Sequence, residues 1–406
     1  MKILANIVSI RSYSAFFPLA RRRWLRRCVL KMTLLRYDLD ARAVVLRAHQ
    51  QINDDIERRQ GRTRAVSMAT FNIDAFSTVE ALLLFLFKVV GMGQLAQKVA
   101  VDVKTRRRHS TSPGGCWAIV LRCLSSLCRW VDLEIMFGRS ASSLSELLHA
   151  TIELLVERCG GMVTAWRHNL IAGRGQQYVA ANAERGAPIC NSAGSVDGTT
   201  CFFARPGGGY QRSCYNGQKR TRGLKLRSLT LPDGLLFHVY GPFEGRRHDF
   251  TLYRLANMDA ELQRTFPSKG RDSCAYADSA YMLRPWLQNA FGGDATLEQR
   301  EYNTAMSALR VFVEWGFKDI TTIFGHLDFR RKQNVREGPV GKLFLSCCFL
   351  WNFLCCIYVS PTPTFFSRLA PRLDECLADE YMHRKHMWKF PRIMPHKPRH
   401  AITASR

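Results

Sequence analysis

The sequence predicts an α/β domain preceded by an all-helical region. Three observations carry this. Ser77 to Val90 is an apolar helical run, and from Trp117 to Arg158 the apolar residues recur at helical spacing. After Gly160 the texture changes to short apolar runs bounded by Gly, Pro and Asp, alternating with helical stretches, the pattern of an α/β domain. Of the 406 residues, 47% are hydrophobic, enough apolar material for a core and too much for a mainly disordered chain. No fixed-length repeat, heptad array or Gly-X-Y period is present, which excludes solenoid, coiled coil and collagen as the main architecture.

Residues 1–75 are predicted as a basic, helical N-terminal region. Met1 to Arg36 holds nine basic residues, and no acid precedes Asp38. This is the composition of a transit peptide, of a DNA-contacting arm, or of an upstream extension of the reading frame. The cluster Arg21-Arg22-Arg23-Trp24-Leu25-Arg26-Arg27 fits a nuclear localisation signal, and a solvated charge run equally.

Residues 76–160 form a helical region. Ser77 to Val90 is an apolar helix. The stretch 91–115 has no amphipathic period and is expected to be a loop or insert. Helical spacing resumes from Trp117 to Arg158. Within it, Val131 to Phe137, the turn Gly138-Arg139-Ser140, and Ala141 to Val156 make a helix-turn-helix candidate, or an ordinary helical hairpin. Residues 161–193 are expected to be a linker, loop-like from Gly173 to Gly194.

Residues 194–366 carry the α/β pattern. A strand end is expected at Gly194–Thr199. A strand from Leu224 to Leu231, the turn Pro232-Asp233-Gly234 and a returning strand from Leu235 to Tyr240 make a hairpin. A helix over Phe250–Phe266, a strand end at Cys274–Asp278 and a helix over Leu297–Gly316 follow. Phe344 to Val359 is strongly apolar, but it spans only 16 residues and contains Asn352, so a buried helix is expected rather than a membrane span. Residues 367–406 are a basic tail.

Lys plus Arg number 59 and Asp plus Glu 33, a net charge of +26 carried by both halves. Such a charge favours a polyanionic partner, most commonly nucleic acid; the alternative is a solvated basic surface. The 14 cysteines form no Cys-x-x-Cys pair and no zinc-type spacing, so they read as reduced core thiols.

Three acids sit where chemistry is expected. Asp197 and Asp278 end strands, and acids there point into the crevice beyond the sheet edge. Glu314 lies within an apolar helical run, where an unpaired acid is costly. If the three converge, their oxygens suit a hard divalent cation, Mg²⁺ or Mn²⁺. Two such ions activate a water or 3′-hydroxyl and stabilise the departing oxygen of a phosphodiester. Each acid has a structural alternative: Asp197 a turn residue, Asp278 a cap, and Glu314 a partner of Arg310 one turn away.

The ordered motifs Ser195-Val-Asp-Gly-Thr199, Tyr215-Asn-Gly-Gln-Lys-Arg220, Pro232-Asp-Gly234, Tyr240-Gly-Pro-Phe-Glu-Gly-Arg-Arg-His-Asp249, Ala277-Asp-Ser-Ala-Tyr281 and Val313-Glu-Trp-Gly-Phe317 resemble the PIF/Harbinger-type transposases and their domesticated nuclease relatives, members of the DDE endonuclease superfamily. The resemblance covers about residues 190–360, and Trp130 to Ser140 is similar to the helical region ahead of the catalytic domain in that family. It implies an RNase H-like fold and divalent-metal-dependent cleavage and transfer of DNA strands. A nuclear location, which the Arg21–Arg27 cluster suits, and a DNA-binding partner protein for targeting are further expectations, and the short 344–359 run gives no expectation of a membrane.

Asp197 matches the first catalytic Asp, Asp278 the second and Glu314 the Glu. Asp249 competes for the second place, but it stands at the start of an expected helix, which suits an N-cap or a role orienting a ligand. Thr200 and Gln218 stand where the family commonly has His. Arg205 to Arg227 holds seven basic residues and no acid, with Tyr210 and Tyr215 interleaved. Lys219, Arg220, Arg222, Lys225, Arg246 and Arg247 are the expected nucleic-acid contacts. The alternatives are a catalytically inactive relative that binds DNA or protein, and an RNA-binding protein.

Overall fold

The computed structural model describes residues 71–376, apart from 100–102, 104, 106–108, 127, 207–209, 267–272, 329–339 and 359–360. The expectations for residues 1–70, including the Arg21–Arg27 cluster, and for the tail beyond residue 376 lie outside the described residues.

Capping chemistry sets where the helices begin. Ser77 and Glu80 make a reciprocal capping box at the start of α1 (Thr78–Phe85): the Glu80 N–H donates to Ser77 Oγ at 3.3 Å and the Ser77 N–H to Glu80 Oε2 at 2.9 Å. Leu86, at φ 69°, ends that helix in the left-handed region, and α2 (Val89–Lys98) sets off at 58° to it. The single helix expected over Ser77–Val90 is therefore two. The 91–115 stretch is also corrected: Gly91 to Lys98 belongs to α2, with Met92 and Leu95 buried. Its far end opens α3 (Pro113–Ser125), where Ser112 caps and Pro113 takes the first turn. Glycines at 91, 93, 114 and 115 hide the helical period from a sequence reading without preventing the helix.

Two helices make the predicted hairpin. α4 (Trp130–Phe137) ends at Gly138 with φ 62°, and Ser140 caps α5 (Ala141–Cys159). α5 packs on α3 and α4 through Leu144, Leu147, Leu148, Ile152 and Leu155. Its exposed positions include Glu153, ion-paired with Lys342, and Glu157. A short turn, α6 (Gly161–Thr164), leads to α7 (His168–Glu184). The loop expected from Gly173 onward is thus helical as far as Glu184. Gly173 and Gly175 sit inside the helix, and Ile171, Tyr178 and Ala181 on its buried face carry the packing that outweighs their low propensity.

A sheet of order β4–β3–β1–β5–β6 follows: β1 (Ser192–Phe202), β3 (Thr221–Thr230), β4 (Leu236–Glu244), β5 (Cys274–Ala277) and β6 (Leu287–Asn289), with a two-residue β2 (Tyr215–Asn216) on the start of β3. β3 runs antiparallel to both β1 and β4; β5 runs parallel to β1, and β6 parallel to β5. The hairpin appears where Pro232-Asp233-Gly234 places it. Asp233 Oδ1 accepts the Leu235 N–H at 3.1 Å, and Gly234 adopts φ 84°. Behind the turn, the Tyr178 hydroxyl donates to the buried Asp233 Oδ2 at 2.6 Å.

The helix expected over Phe250–Phe266 is split into α9 (Asp249–Leu255) and α10 (Met258–Thr265) by Asn257 at φ 49°; a five-residue α8 (Tyr210–Cys214) precedes β2. α11 (Leu297–Ile323) opens with a Thr296–Gln299 capping box and runs 27 residues. α12 (Val340–Ile357) is the predicted apolar helix, and 78% of its 18-residue span is buried inside the fold. Asn352 uses both ends of its amide on the start of β4: Oδ1 accepts the Leu236 N–H at 2.8 Å and Nδ2 donates to the Leu236 carbonyl at 2.9 Å. Short turns α13 (Pro361–Phe366) and α14 (Leu373–Cys376) close the described chain.

Two apolar clusters flank the sheet. On one face α7, α9 and α10 pack with Val196, Leu229, Phe237 and Ala277. On the other, α11, α12 and the preceding helices form one continuous core that runs from Ala81 to Cys376. The mixed α/β architecture is as expected from the sequence. The described cysteines are all free thiols, most of them buried.

Candidate active site

Strand register brings the first two acids together. In the parallel pairing of β1 with β5, Ser195 lies opposite Tyr276. Asp197 and Asp278 stand two residues further along, one pleat past the last paired position of each strand, and so face the same side. The sequence places Asp197 at a strand end. The structure corrects this: β1 continues to Phe202, with Asp197 opposite Ser228 of β3. Only its pairing with β5 stops at Ser195, and that opens the strand edge beside Asp197. Asp278 lies just beyond β5, as expected; its carboxylate accepts from Ser279 Oγ at 3.1 Å.

α11 crosses this corner of the sheet and contacts β1. It contributes Arg310 and, one turn on, Glu314. The Arg310 guanidinium reaches Asp197 Oδ1 at 3.3 Å with one nitrogen and Glu314 Oε1 at 3.7 Å with the other. Asp197 Oδ1 also accepts its neighbour's backbone N–H, from Gly198, at 2.8 Å. Burial pushes the Asp197 carboxyl above its ordinary value; the Gly198 N–H and Arg310 pull it down, while Glu314 and Asp278 add to the rise. Glu314 is 58% exposed and Asp197 19%.

These groups line one cavity of about 580 Å³. Asp197, Asp249, Asp278, Glu314 and Asp328 line it together with Lys219, Lys225, Arg227, Arg310 and Lys318, five acids against five bases. Asp249 opens α9 as its first residue, with His248 in the cap position. Its Oδ1 receives Lys225 Nζ at 3.2 Å and Arg227 at 3.1 Å. Arg227 is 1% exposed, and its guanidinium lies 4.4 Å from the Tyr281 ring centre. Burial lowers its pKa, against the pull of Asp249. Two cations thus hold the Asp249 carboxylate, whereas Arg310 alone bridges Asp197 and Glu314 among the described residues.

The expected nucleic-acid contacts divide into groups. Lys219 and Lys225 line the cavity, and Lys219 Nζ sits 5.9 Å from the Phe202 ring centre. Arg222 lies 5.8 Å from the centre of the half-exposed Tyr215 ring. Arg220 is exposed in the β2–β3 turn at φ 48°. Arg246 is exposed, and Arg247 pairs with Glu244 at 3.3 Å. Sequence reasoning misses Arg227, Tyr281 and Lys318 as site residues. For Arg227 and Lys318 a signal exists, a cation at alternating strand spacing from Lys225 and one turn after Glu314.

Residues 196–352 are similar to the DDE superfamily endonucleases. That match begins one residue before Asp197 and takes in Asp278, Glu314 and the Asn352 clamp. No curated protein and no solved structure matches the chain. At this level the resemblance drawn from the motifs holds, and a transposase-type nuclease domain is the chemistry to test against the cavity.

That superfamily acts with divalent metals. The three carboxylates on the cavity wall offer only oxygen donors, which suits Mg²⁺ or Mn²⁺. As placed, no three of the described His, Cys, Asp or Glu side chains gather tightly enough to hold an ion. The guanidinium of Arg310 stands between Asp197 and Glu314. The donor chemistry therefore suits a hard divalent ion, and Arg310 occupies the place between two of the three carboxylates.

Proposed function

We propose that the protein is a metal-dependent DNA endonuclease of the PIF/Harbinger transposase type. The observation that carries this reading is the lining of one cavity by Asp197, Asp278 and Glu314, far apart in sequence. The sheet supports an RNase H-like domain over residues 194–366: three strands antiparallel in succession, then two parallel to the first, with the acids at the central β1/β5 seam. Residues 76–160 are its helical companion, and 161–193 joins the two. Residues 1–75 and 367–406 are basic flanks suited to DNA and to a nuclear address. A separate DNA-binding protein supplies targeting.

Asp197, Asp278 and Glu314 would hold two Mg²⁺ or Mn²⁺ ions. When bound, these supply Lewis-acid stabilisation of the attacking and leaving oxygens of a phosphodiester. The chain's own residues do the rest. Asp197, its pKa raised by burial, gains from a nearby cation, because burial penalises its charged form. Lys225 and Arg227 fix Asp249 at the cavity wall and leave its charge neutralised, so it does not repel phosphate. Lys219 lines the cavity, and with Arg220 of the β2–β3 turn and Arg222 at the start of β3 it would contact backbone phosphates. Tyr215, with Arg222 against it, offers a ring on which a base can stack. Arg246 and Arg247 extend the basic surface.

A second reading has one observation in its favour. Arg310 sits among the carboxylates, as it would in a relative that has kept the fold, binds DNA or protein, and does not cleave. One experiment separates the two. Asp278→Ala is expected to lower Mn²⁺-dependent nicking of supercoiled DNA by more than about 100-fold, the upper range for losing a group one step removed from a metal, while DNA binding survives. Nicking by the variant at the wild-type rate would remove Asp278 from the chemistry. Absence of nicking by the wild type under Mn²⁺ would favour the non-cleaving relative.

A further inference from the structure

We propose that Arg310 is a built-in stand-in for the metal: a side-chain cation that holds Asp197 and Glu314 together in the metal-free protein and that an incoming divalent ion must displace. The inference rests on the nuclease reading and deepens it, because it says what the site does before it is loaded.

Three observations carry it. The first is placement. One guanidinium fork touches Asp197 Oδ1 at 3.3 Å and Glu314 Oε1 at 3.7 Å, two of the carboxylates proposed to bind metal. The second is charge balance. Asp249, on the same cavity wall, is already held by Lys225 and Arg227. Arg310 is therefore the cation that ion-pairs with Asp197 and Glu314 among the described residues. Without it, Asp197 would face Glu314 and Asp278 with only Arg227, beyond ion-pair distance, to offset a repulsion that disfavours the arrangement. The third is freedom to leave. Both Arg310 contacts exceed 3.2 Å, so neither is a tight charge-assisted hydrogen bond. Glu314 is 58% exposed, and Arg310 lies on the cavity wall with 21% of its side chain open to solvent. The Glu314 pair, long and with its carboxylate more than half exposed, is weak enough to exchange, and the Asp197 pair is the one that an incoming ion must outcompete.

The geometry also explains why the carboxylates do not form a ready cage. An arginine at i and a glutamate at i+4 on one helix meet on one face. Glu314 is thus drawn toward its own helix until a stronger cation claims it. A divalent ion binds by replacing the guanidinium, and the affinity of the site is set by the difference between the two.

Isothermal titration of the full-length protein with Mn²⁺, without DNA, tests this. Arg310→Gln is expected to bind Mn²⁺ between about 3- and 30-fold more tightly than the wild type, the range expected for relieving two partly exposed ion pairs. Arg310→Lys is expected to fall between them, since an ammonium cannot fork across both carboxylates. Asp278→Ala serves as the control that the heat comes from this site. Equal or weaker Mn²⁺ binding by Arg310→Gln, with wild-type binding intact and a folded far-UV spectrum, would overturn the inference and leave the nuclease reading standing. If neither the wild type nor Arg310→Gln binds Mn²⁺ at millimolar concentration, the nuclease reading fails and this inference with it.

Discussion

Asp319 makes the sharpest stability test. It lies on α11, is 6% exposed, and its Oδ2 has no hydrogen-bond partner among the described residues. Burial pushes its carboxyl up to about 7, with only Lys318 opposing. The folded protein therefore keeps this proton until about pH 7, whereas the unfolded chain releases it near pH 4. Between those values the folded state binds more protons, so stability falls as pH rises through the window. A difference of about three pKa units corresponds to about 4 kcal/mol, present below pH 4 and lost by pH 8. Asp319→Asn carries no titrating proton. Urea unfolding of both proteins at pH 4 and pH 8 should show the variant gaining about 4 kcal/mol on the wild type between the two. A gap that is the same at both pH values, within about 1 kcal/mol, would mean that Asp319 is charged or paired in the native state, and the argument would fail.

Two further outcomes follow from contacts described above. Asn352→Ala should cost about 2–4 kcal/mol, because it leaves the buried N–H and C=O of Leu236 without partners; a loss below about 1 kcal/mol in denaturant titration would show that β4 finds other partners. Replacing Lys219 and Arg222 together by Ala should reduce the slope of log K for DNA against log salt by about 2, since each cation neutralises one phosphate. An unchanged slope in a filter-binding series would take the β2–β3 turn out of the interface.

Much of this is legible in the sequence, for identifiable reasons. The hairpin is readable because Asp233 and Gly234 are the residues its turn chemistry demands. The apolar helix α12 is readable as buried because its apolar run is too short for a bilayer and contains Asn352; that the amide pairs with Leu236 is added by the fold. What escapes is set by long-range packing or by single backbone angles. Leu86 at φ 69° and Asn257 at φ 49° each break a helix that periodicity draws as continuous. The glycines of 91–115 and of 173–175 mask helices that tertiary burial stabilises. At the site, the acids are visible as residue types in order. The register that sets Asp197 beside Asp278 is not, because it depends on where β1 stops pairing with β5. Arg310 is visible only as a neighbour of Glu314 on one helix; its reach to Asp197 needs the fold.

Phe344 lines the cavity and also belongs to the packed mass that contains Trp117, Leu147 and Ile152. Phe344 lies on α12, so the helices ahead of the sheet pack behind a residue of the cavity wall without lining the cavity themselves. A fragment beginning near Gly160 would leave a broad greasy surface bare and invite self-association. Changes in α3 or α5, remote along the chain from Asp197, Asp278 and Glu314, have a route through one packed core to the cavity wall at Phe344.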